Sequence, residues 1–164
     1  MANLIASKIA GFIVRFPPFD KLTNDDITKL SEAAEVLYFK KNQLVFKQNQ
    51  KAKPFIYFLK EGEVQLREVE SGKIQLIDIC DEGELFGVRA MLTGNPYVFE
   101  AFCNQESLVY GFPLNIFKPI VESNNKVSLF FASGLASGQK SASLSTVFSQ
   151  HENEAVADFL SWQK

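Results

Sequence analysis

Apolar residues recur at two different periods along this chain, and the change of period separates predicted helices from predicted strands. The first stretch follows helical spacing and predicts an amphipathic helix over residues 3–15, which ends before Pro17-Pro18. Thr23 is followed within three residues by two acidic residues, so it has the chemistry of an N-cap and predicts a second helix to about Ala33. The stripe of the first helix consists of Ile5, Ile9, Phe12 and Phe16.

Over residues 36–113 the pattern changes to that of strands. Turn-forming residues recur about every 8 to 13 positions, with β-branched and aromatic runs between them. Two of these runs alternate apolar and polar residues around Ser71-Gly72, which predicts two half-buried strands joined by a hairpin. We therefore predict an α+β fold, an antiparallel β jelly-roll barrel with N-terminal helices, a short cassette helix and C-terminal helices. The alternating apolar residues are Val64, Leu66, Ile74 and Leu76.

Helical spacing returns after the last predicted strand. Leu114–Glu122 is predicted as a short helix that is broken or kinked around Pro119. A further helix carries an apolar stripe at i, i+3, i+4 and i+8, and two alternatives remain for it: a lid or dimer contact, or packing on the domain's own barrel. The stripe consists of Val127, Phe130, Phe131 and Leu135.

The predicted organisation is one domain with appended segments. Residues 1–35 form N-terminal helices packed on the barrel, residues 36–113 form the barrel, and residues 114–140 form the C-terminal helices. Serine and glycine accumulate after Ser133, so residues 141–164 are predicted as a linker or a terminal helix. Such an ending suggests a chain cut from a longer protein with downstream domains.

Composition excludes several classes of function. A net charge of -2 and a pI near 5.5 argue against a nucleic-acid-binding surface, and no run of residues reaches transmembrane length, so no membrane partner is expected. The N-terminal stretch lacks the pattern of a signal peptide, and we expect a cytoplasmic protein. Cys80 and Cys103 have no ligand spacing and are not expected to form a disulfide.

Catalysis is not expected. The metal-dependent enzymes built on barrels of this kind need two or three histidines with a carboxylate, and this chain has one histidine, His151, outside the predicted barrel. A serine or cysteine nucleophile would have no histidine base within the domain. No metal or catalytic residue is therefore assigned.

The stretch from Asp81 to Ala101 has the shape of a functional loop. Gly87 permits a tight turn after Phe86, and residues 88–92 can form little more than one helical turn before a Thr-Gly-Asn-Pro stop. Free N–H groups at the start of such a helix suit a phosphate or another small anion.

This stretch resembles the phosphate-binding cassette of cyclic nucleotide-binding domains. The spacing from Phe86-Gly87 to Pro96 aligns without a gap, and ordered landmarks extend the resemblance over about residues 16–123. In that family a glutamate usually follows Phe-Gly and binds the ribose, and an arginine usually follows the proline and binds the cyclic phosphate. Val88 and Tyr97 stand at those two positions here.

The resemblance implies a set of ligand-binding residues and a reduced affinity for the ligand. Loss of the phosphate arginine should lower cyclic nucleotide affinity by roughly one to four powers of ten, so cAMP or cGMP with reduced affinity is the candidate cofactor. Arg89 could replace the arginine, or it could point to solvent or pair with Glu84 or Glu100. The predicted ligand-binding residues are Phe86, Gly87, Val88, Arg89, Ala90, Pro96, Tyr97 and Val98.

Two functions follow from these observations. In the first, the chain is a non-catalytic regulatory or sensor domain whose ligand is a nucleotide or another small anion. In the second, the cassette holds no ligand and the domain serves as a dimerisation or docking module of a larger protein. A homodimer formed through the C-terminal helices is one possible arrangement of such a module. The run Phe130–Ala136 is also similar to bacterial proteins in which such a domain precedes a CBS pair and a nucleotidyltransferase-like domain.

Overall fold

The computed structural model describes residues 3–137, except for the side chains of residues 89, 91, 92 and 133–137. Two N-terminal helices, α1 (Leu4–Ile13) and α2 (Asn24–Ala33), flank a short 3₁₀ turn at Phe19–Lys21. Helix α3 (Val88–Thr93) interrupts the strands, and α4 (Leu114–Ser123) and α5 (Asn125–Ser137) follow them. The strands are β1 (Glu35–Phe39), β2 (Leu44–Phe46), β3 (Phe55–Glu61), β4 (Val64–Glu70), β5 (Lys73–Cys80), β6 (Leu85–Phe86), β7 (Glu100–Cys103) and β8 (Ser107–Pro113).

The strands form two antiparallel four-stranded sheets. One sheet has the order β1-β8-β3-β6 and the other has the order β2-β7-β4-β5. Sequence neighbours β3 and β4 lie in different sheets, so the chain crosses between the sheets as it does in a roll of antiparallel strands. The predicted α+β fold class is confirmed.

Strand β3 separates two hydrophobic cores. Ile56 and Phe58 face the helices and belong to a core that also contains residues of α1, α2, α4 and α5. Tyr57 and Leu59 point the other way, into a second core between the two sheets. Because both faces of the strand are covered, its sequence is a continuous apolar run rather than an alternating one.

The helix starts follow the predicted local chemistry. The Thr23 hydroxyl oxygen accepts a hydrogen bond from the N–H of Asp26 at 3.1 Å, which confirms the N-cap of α2. Asn3 caps α1 in the same way through its side-chain oxygen. The first helix ends at Ile13, two residues earlier than predicted, because the chain tightens into turns before Pro17-Pro18.

The predicted short helix is present, but its predicted break at Pro119 is wrong, and the alternative of a kink there stays a prediction. Helix α4 is continuous from Leu114 to Ser123 with Pro119 inside it. The proline removes the hydrogen bond to the carbonyl of Asn115, but both residues are exposed, so water can bind that carbonyl.

The stripe of α5 packs on the domain itself. Val127 and Phe131 are buried in the helical core, and Phe131 meets the ring of Phe117 edge-on at 6.1 Å between ring centroids. Phe130 is partly buried against the same core. The side chain of Leu135 lies outside the described residues, as does the predicted segment 141–164.

The hairpin of β4 and β5 is less buried than predicted. The turn at Ser71-Gly72 is present, with both residues at positive φ, and Val64 and Leu66 are buried as predicted. Ile74 and Leu76, however, are 58% and 49% exposed. The register explains this: Ile77 is an extra residue on β5, so Leu76 is registered with Arg67 rather than with a core-facing residue, and Ile74 and Leu76 lie on the outer face of the sheet.

The two cysteines are free and buried, as expected. Both are registered opposite Val64, Cys80 on one side and Cys103 on the other. Two strand spacings separate them by roughly 9–10 Å, beyond the Cα distance of about 7 Å that a disulfide tolerates. Burial raises the pKa of the Cys103 thiol to about 11.

This pKa shift predicts a loss of stability at alkaline pH. In the unfolded chain the thiol ionises near its ordinary pKa of 9.0, whereas the folded thiol keeps its proton until about 11. The unfolded state therefore binds fewer protons between these pH values, so the free energy of unfolding should fall as the pH rises from about 9 to about 11. We expect the free energy of unfolding, measured with urea at several pH values, to fall less steeply with pH in Cys103→Ser than in the unaltered chain. Equal slopes would contradict the assignment.

A second prediction concerns two glycines at turns between consecutive strands. Gly62 has φ +103, and a Cβ there would lie 2.5 Å from the carbonyl oxygen of Glu106. Gly72 has φ +77 but open space around it, so it provides a matched control for backbone strain alone. We expect Gly72→Ala to cost about 1–2 kcal/mol of unfolding free energy and Gly62→Ala to cost about 1–3 kcal/mol more, measured by urea unfolding.

Candidate functional site

The cassette turn is built as its sequence predicts. Strand β6 ends at Phe86, and Gly87 follows with φ +80, a left-handed conformation that favours glycine. Helix α3 then runs for six residues and ends at Gly94, which has φ +69. A Cβ on Gly87 would lie 3.2 Å from the ring of Tyr57, so the turn also sits tightly against the barrel.

Val88 does not face the cassette cavity. Its side chain is fully buried in the helical core, on the side of the turn where Leu85 and Phe58 also lie. This position therefore contributes packing energy between the barrel and the helices. The side chain of Arg89 lies outside the described residues, so its predicted role stays a prediction.

Tyr97 fills the space beside the cassette with its own ring. The ring stacks on Phe46 with centroids 3.7 Å apart and planes 9° from parallel, and 4% of the residue is exposed. Its hydroxyl oxygen accepts a hydrogen bond from the backbone N–H of Lys53 at 3.0 Å. An aromatic ring therefore stands where the family usually has a phosphate-binding arginine.

The backbone of Tyr97 is held by the same loop. Its N–H donates to the carbonyl of Gln50 at 3.0 Å, and its carbonyl accepts from the N–H of Asn49 at 2.7 Å. Lys53 is itself anchored, because its ammonium group donates to the carbonyl of Val45 at 3.0 Å. The loop from residue 47 to residue 53 thus holds Tyr97 at three polar groups.

Tyr97 belongs to a buried aromatic cluster inside the barrel. The ring of Tyr57 stacks on Phe86 at 5.3 Å, and Phe46 lies within 6.2 Å of both of those rings. Burial raises the pKa of Tyr57 well above its ordinary value, and the neighbouring phenol of Tyr97 raises it further. Burial also raises the pKa of Tyr97, although the hydrogen bond from Lys53 opposes part of that shift. Both phenols are therefore neutral at physiological pH.

A small cavity remains next to Tyr97. Its enclosed volume is about 20 Å³, which is close to the space that one water molecule needs. The wider depression above it has about 330 Å³ of empty space, but that figure includes open solvent, so the enclosed volume is the better measure of what the site can hold. Pockets for drug-sized ligands span roughly 300–1,000 Å³.

The lining of this cavity matches part of the predicted site. Five predicted residues line it: Gly87, Ala90, Pro96, Tyr97 and Val98. Phe86 lies behind the cavity in the buried aromatic cluster, and Val88 lies in the other core.

Sequence reasoning missed three residues that complete the lining, Phe46, Leu66 and Phe99. The alternation of β4 predicts that Leu66 points inward, but only the pairing of β4 with β7 shows that it points at the cassette.

An ion pair lies close in sequence to the cassette. The guanidinium of Arg67 donates to a carboxylate oxygen of Glu100 from two nitrogens, one of them Nε at 2.9 Å, and it covers the ring of Phe102 at 3.8 Å. Both residues are in register on β4 and β7. Glu100 therefore has a basic partner, and that partner is on a strand rather than on α3.

The described part of the chain contains neither a cluster of metal-ligating side chains nor a helix that could span a membrane. Residues 3–137 contain no group of three or more His, Cys, Asp or Glu side chains arranged to hold a metal ion. The helices within that range are too short or too polar to cross a membrane. His151 lies outside the described residues.

Comparisons with solved structures agree on the architecture. The sensor domain of the transcriptional regulator DNR from Pseudomonas aeruginosa superposes with a TM-score of 0.73 at 18% identity, over 80% of this chain and 89% of that one. The regulatory domain of Toxoplasma gondii PKA, solved with cAMP, gives a TM-score of 0.69 at 15% identity over 84% of this chain and 52% of that one. The regulatory subunit of a cAMP-independent protein kinase A from Trypanosoma brucei gives 0.66 at 14% identity, over 79% of this chain and 48% of that one. At these identities the likeness shows the fold.

Sequence comparison identifies the family. A cAMP-dependent protein kinase regulatory subunit from Mycosarcoma maydis is 24% identical over 85 residues, which cover 52% of this chain and 16% of that protein. The family model for the cyclic nucleotide-binding domain matches residues 36–124, just over half of the chain. The predicted resemblance is confirmed, and so is the prediction of a non-catalytic regulatory domain. This chain belongs to the cyclic nucleotide-binding domain family.

Proposed function

We propose that this chain is a regulatory module of a longer protein whose cassette is occupied by its own Tyr97 and does not require a cyclic nucleotide. One observation carries the proposal: the ring of Tyr97 stacks on Phe46 in the space beside Gly87, and about 20 Å³ of enclosed volume remains. A cyclic nucleotide could enter only after this ring left its place. That movement would break the stacking on Phe46 and the hydrogen bond that the Tyr97 hydroxyl accepts from Lys53.

The electrostatics of the site support the same proposal. The phenol of Tyr97 is neutral, and the carboxylate of Glu100 is already paired with Arg67. The described side chains that line the cavity are apolar apart from the Tyr97 hydroxyl, which already accepts a hydrogen bond from Lys53. A buried phosphate would need charged or hydrogen-bonding partners to offset the loss of its hydration. The cassette would then persist because it joins the two cores of the domain, with Val88 in one and Phe86 in the other.

One structural relative supports the proposal of a domain that does not require a cyclic nucleotide. The name of the Trypanosoma brucei protein describes a cAMP-independent kinase regulatory subunit, and a triple mutant of it is bound to cAMP in its A site. The present domain would work through contacts with neighbouring domains of its own protein. The CBS and nucleotidyltransferase-like domains suggested by Phe130–Ala136 are the proposed neighbours.

A ligand titration tests this proposal. A ligand present at 100 times its Kd adds about 2.7 kcal/mol of stability, and a domain of this size gains about 2–4 °C in Tm per kcal/mol. A nucleotide with a Kd of about 10 µM should therefore raise Tm by roughly 5–11 °C at 1 mM. We expect a shift of less than about 1 °C with cAMP, cGMP, cyclic dinucleotides, ATP and AMP.

The cAMP-bound Toxoplasma gondii regulatory domain provides the positive control in the same buffer. A reproducible rise of several degrees with any one of these ligands would refute the occupied cassette. It would instead favour the second candidate, a sensor of that ligand. The observation that favours a sensor is the intact cassette backbone, with Gly87 at φ +80 leading into α3.

Substitution of Tyr97 tests the packing on which the proposal depends. Tyr97→Phe keeps the stacked ring and leaves the N–H of Lys53 without its acceptor, so it should lower the free energy of unfolding by about 1 kcal/mol. Tyr97→Ala removes the ring as well and should cost about 3–5 kcal/mol. Tyr38→Phe makes the same chemical change at a residue that is 56% exposed, and it should alter stability by less than about 0.5 kcal/mol.

Urea unfolding of the three variants gives these differences directly. If Tyr97→Ala were as stable as the unaltered chain, the ring would not be a structural plug, and the proposal would lose its main support.

A further inference from the structure

The side chain of Tyr97 shows which chemical group the cassette accommodates. Its ring stacks on Phe46 with centroids 3.7 Å apart, and its hydroxyl oxygen accepts a hydrogen bond from the backbone N–H of Lys53 at 3.0 Å. The group held there is therefore a flat ring with one neutral oxygen at its edge. Stacked rings gain from burial and from contact between their faces, and a buried N–H needs an acceptor. An external ligand in the same place would have to meet both requirements.

Lys53 is held in position by contacts that do not involve the ring of Tyr97. Its ammonium group donates to the carbonyl of Val45 at 3.0 Å, and its carbonyl oxygen accepts from the N–H of Phe55 at 2.8 Å. The backbone hydrogen bonds between Tyr97 and the loop from residue 47 to residue 53 are likewise independent of the ring. If the ring left, the N–H of Lys53 would remain beside the vacated space as a donor that needs an acceptor.

The walls of this space favour an uncharged ligand. Apart from Tyr97 itself, the described side chains that line the cavity are apolar, and none of them is titratable. The ammonium group of Lys53 is already hydrogen-bonded to the carbonyl of Val45. A buried anion would therefore lose its hydration without gaining a charged partner among the described lining residues. Burial also raises the pKa of Tyr97, so the surroundings disfavour a charged phenolate in the same place.

We propose that the ligand class of this cassette is a small, uncharged aromatic molecule with one hydrogen-bond-accepting oxygen, of the phenol type, which binds in the place of the Tyr97 ring. This inference rests on the proposed function, in which Tyr97 occupies the cassette. Tyr97 then acts as a built-in competitor of the ligand.

Access and competition both follow from the geometry. The depression above the cavity has about 330 Å³ of empty space that includes open solvent, and the exposed Pro96 lines it, so a small ring can approach from outside. An external ring can bind only in those molecules whose Tyr97 ring has left its stack on Phe46. Its apparent Kd in the unaltered chain is therefore raised by the inverse of that fraction of molecules.

Removal of the ring separates ligand binding from this competition. Tyr97→Ala, in the full chain, deletes a phenol group, so phenol itself is the probe, and apolar cavities of about 150 Å³ bind the similar ring of benzene. At about 2 mM phenol we expect the Tm of Tyr97→Ala to rise by at least about 3 °C and that of the unaltered chain by less than about 1 °C. Tyr38→Ala deletes the same group at an exposed position and is the matched control, with an expected shift of less than about 1 °C.

Related ligands and one further variant test each part of the ligand class. Benzene lacks the oxygen and should bind Tyr97→Ala about five-fold more weakly than phenol, because the N–H of Lys53 stays unpaired. Benzoate is charged and should give no Tm shift at the same concentration. In the Tyr97→Ala background, Phe46→Leu removes the stacking ring and should weaken phenol binding about five-fold. The amide proton of Lys53 should shift more in the NMR spectrum with phenol than with benzene, since only phenol accepts its hydrogen bond.

Three results would overturn the inference: no response of Tyr97→Ala to phenol, equal Tm shifts in Tyr97→Ala and Tyr38→Ala, or benzoate binding as tightly as phenol. If Tyr97→Ala does not fold, Tyr97→Val keeps part of the apolar volume and should show the same order of ligands. The proposed function fails separately, because a response of the unaltered chain to a cyclic nucleotide refutes it whereas a negative result with phenol does not.

Discussion

The stacking of Tyr97 on Phe46 is the contact on which the cassette region depends. It places an aromatic ring, held by a hydrogen bond from Lys53, where the family usually presents a cation to a phosphate. The loop from residue 47 to residue 53, strand β2 and the segment after α3 all meet at this ring. The described side chains that line the cavity beside this ring are largely apolar, so the ring is continuous with the core between the sheets.

The cassette also connects the two cores of the domain. The turn at Gly87 sends Phe86 into the core between the sheets and Val88 into the core under the helices. Strand β3 does the same with Tyr57 and Phe58. Movement of the turn would therefore disturb packing on both sides at once, and this packing holds the backbone geometry of the turn. It also gives a physical route by which the barrel and the C-terminal helices could influence each other.

The helices after the barrel are joined firmly to this arrangement. Asn124 caps α5 through its side-chain oxygen and donates to the carbonyl of Lys21, while Ser128 donates to the carbonyl of Val121. Phe131 completes the helical core beside Phe117. The described residues of the apolar stripe of α5 are thus used within the domain.

The sequence by itself determined the parts of this protein that depend on neighbouring residues. The N-cap at Thr23, the hairpin at Ser71-Gly72 and the glycine-started turn at Gly87 were all predictable, because each follows from backbone conformation and local hydrogen bonding. The family resemblance rested on the same local features and was confirmed over residues 36–124.

Tertiary structure decided what those features face. Only the packing of the two sheets shows that Phe46 and Leu66 line the cavity, that Val88 points away from it, and that Tyr97 fills it. Pro119 was predicted to break or kink α4, and sequence alone does not reveal that Asn115, whose carbonyl loses its partner, is an exposed residue. Likewise, alternation predicted that Ile74 and Leu76 share a face, but not that an extra residue at Ile77 turns that face away from the core. Burial depends on residues distant in sequence, and a local pattern does not show which of those residues pack against a given side chain.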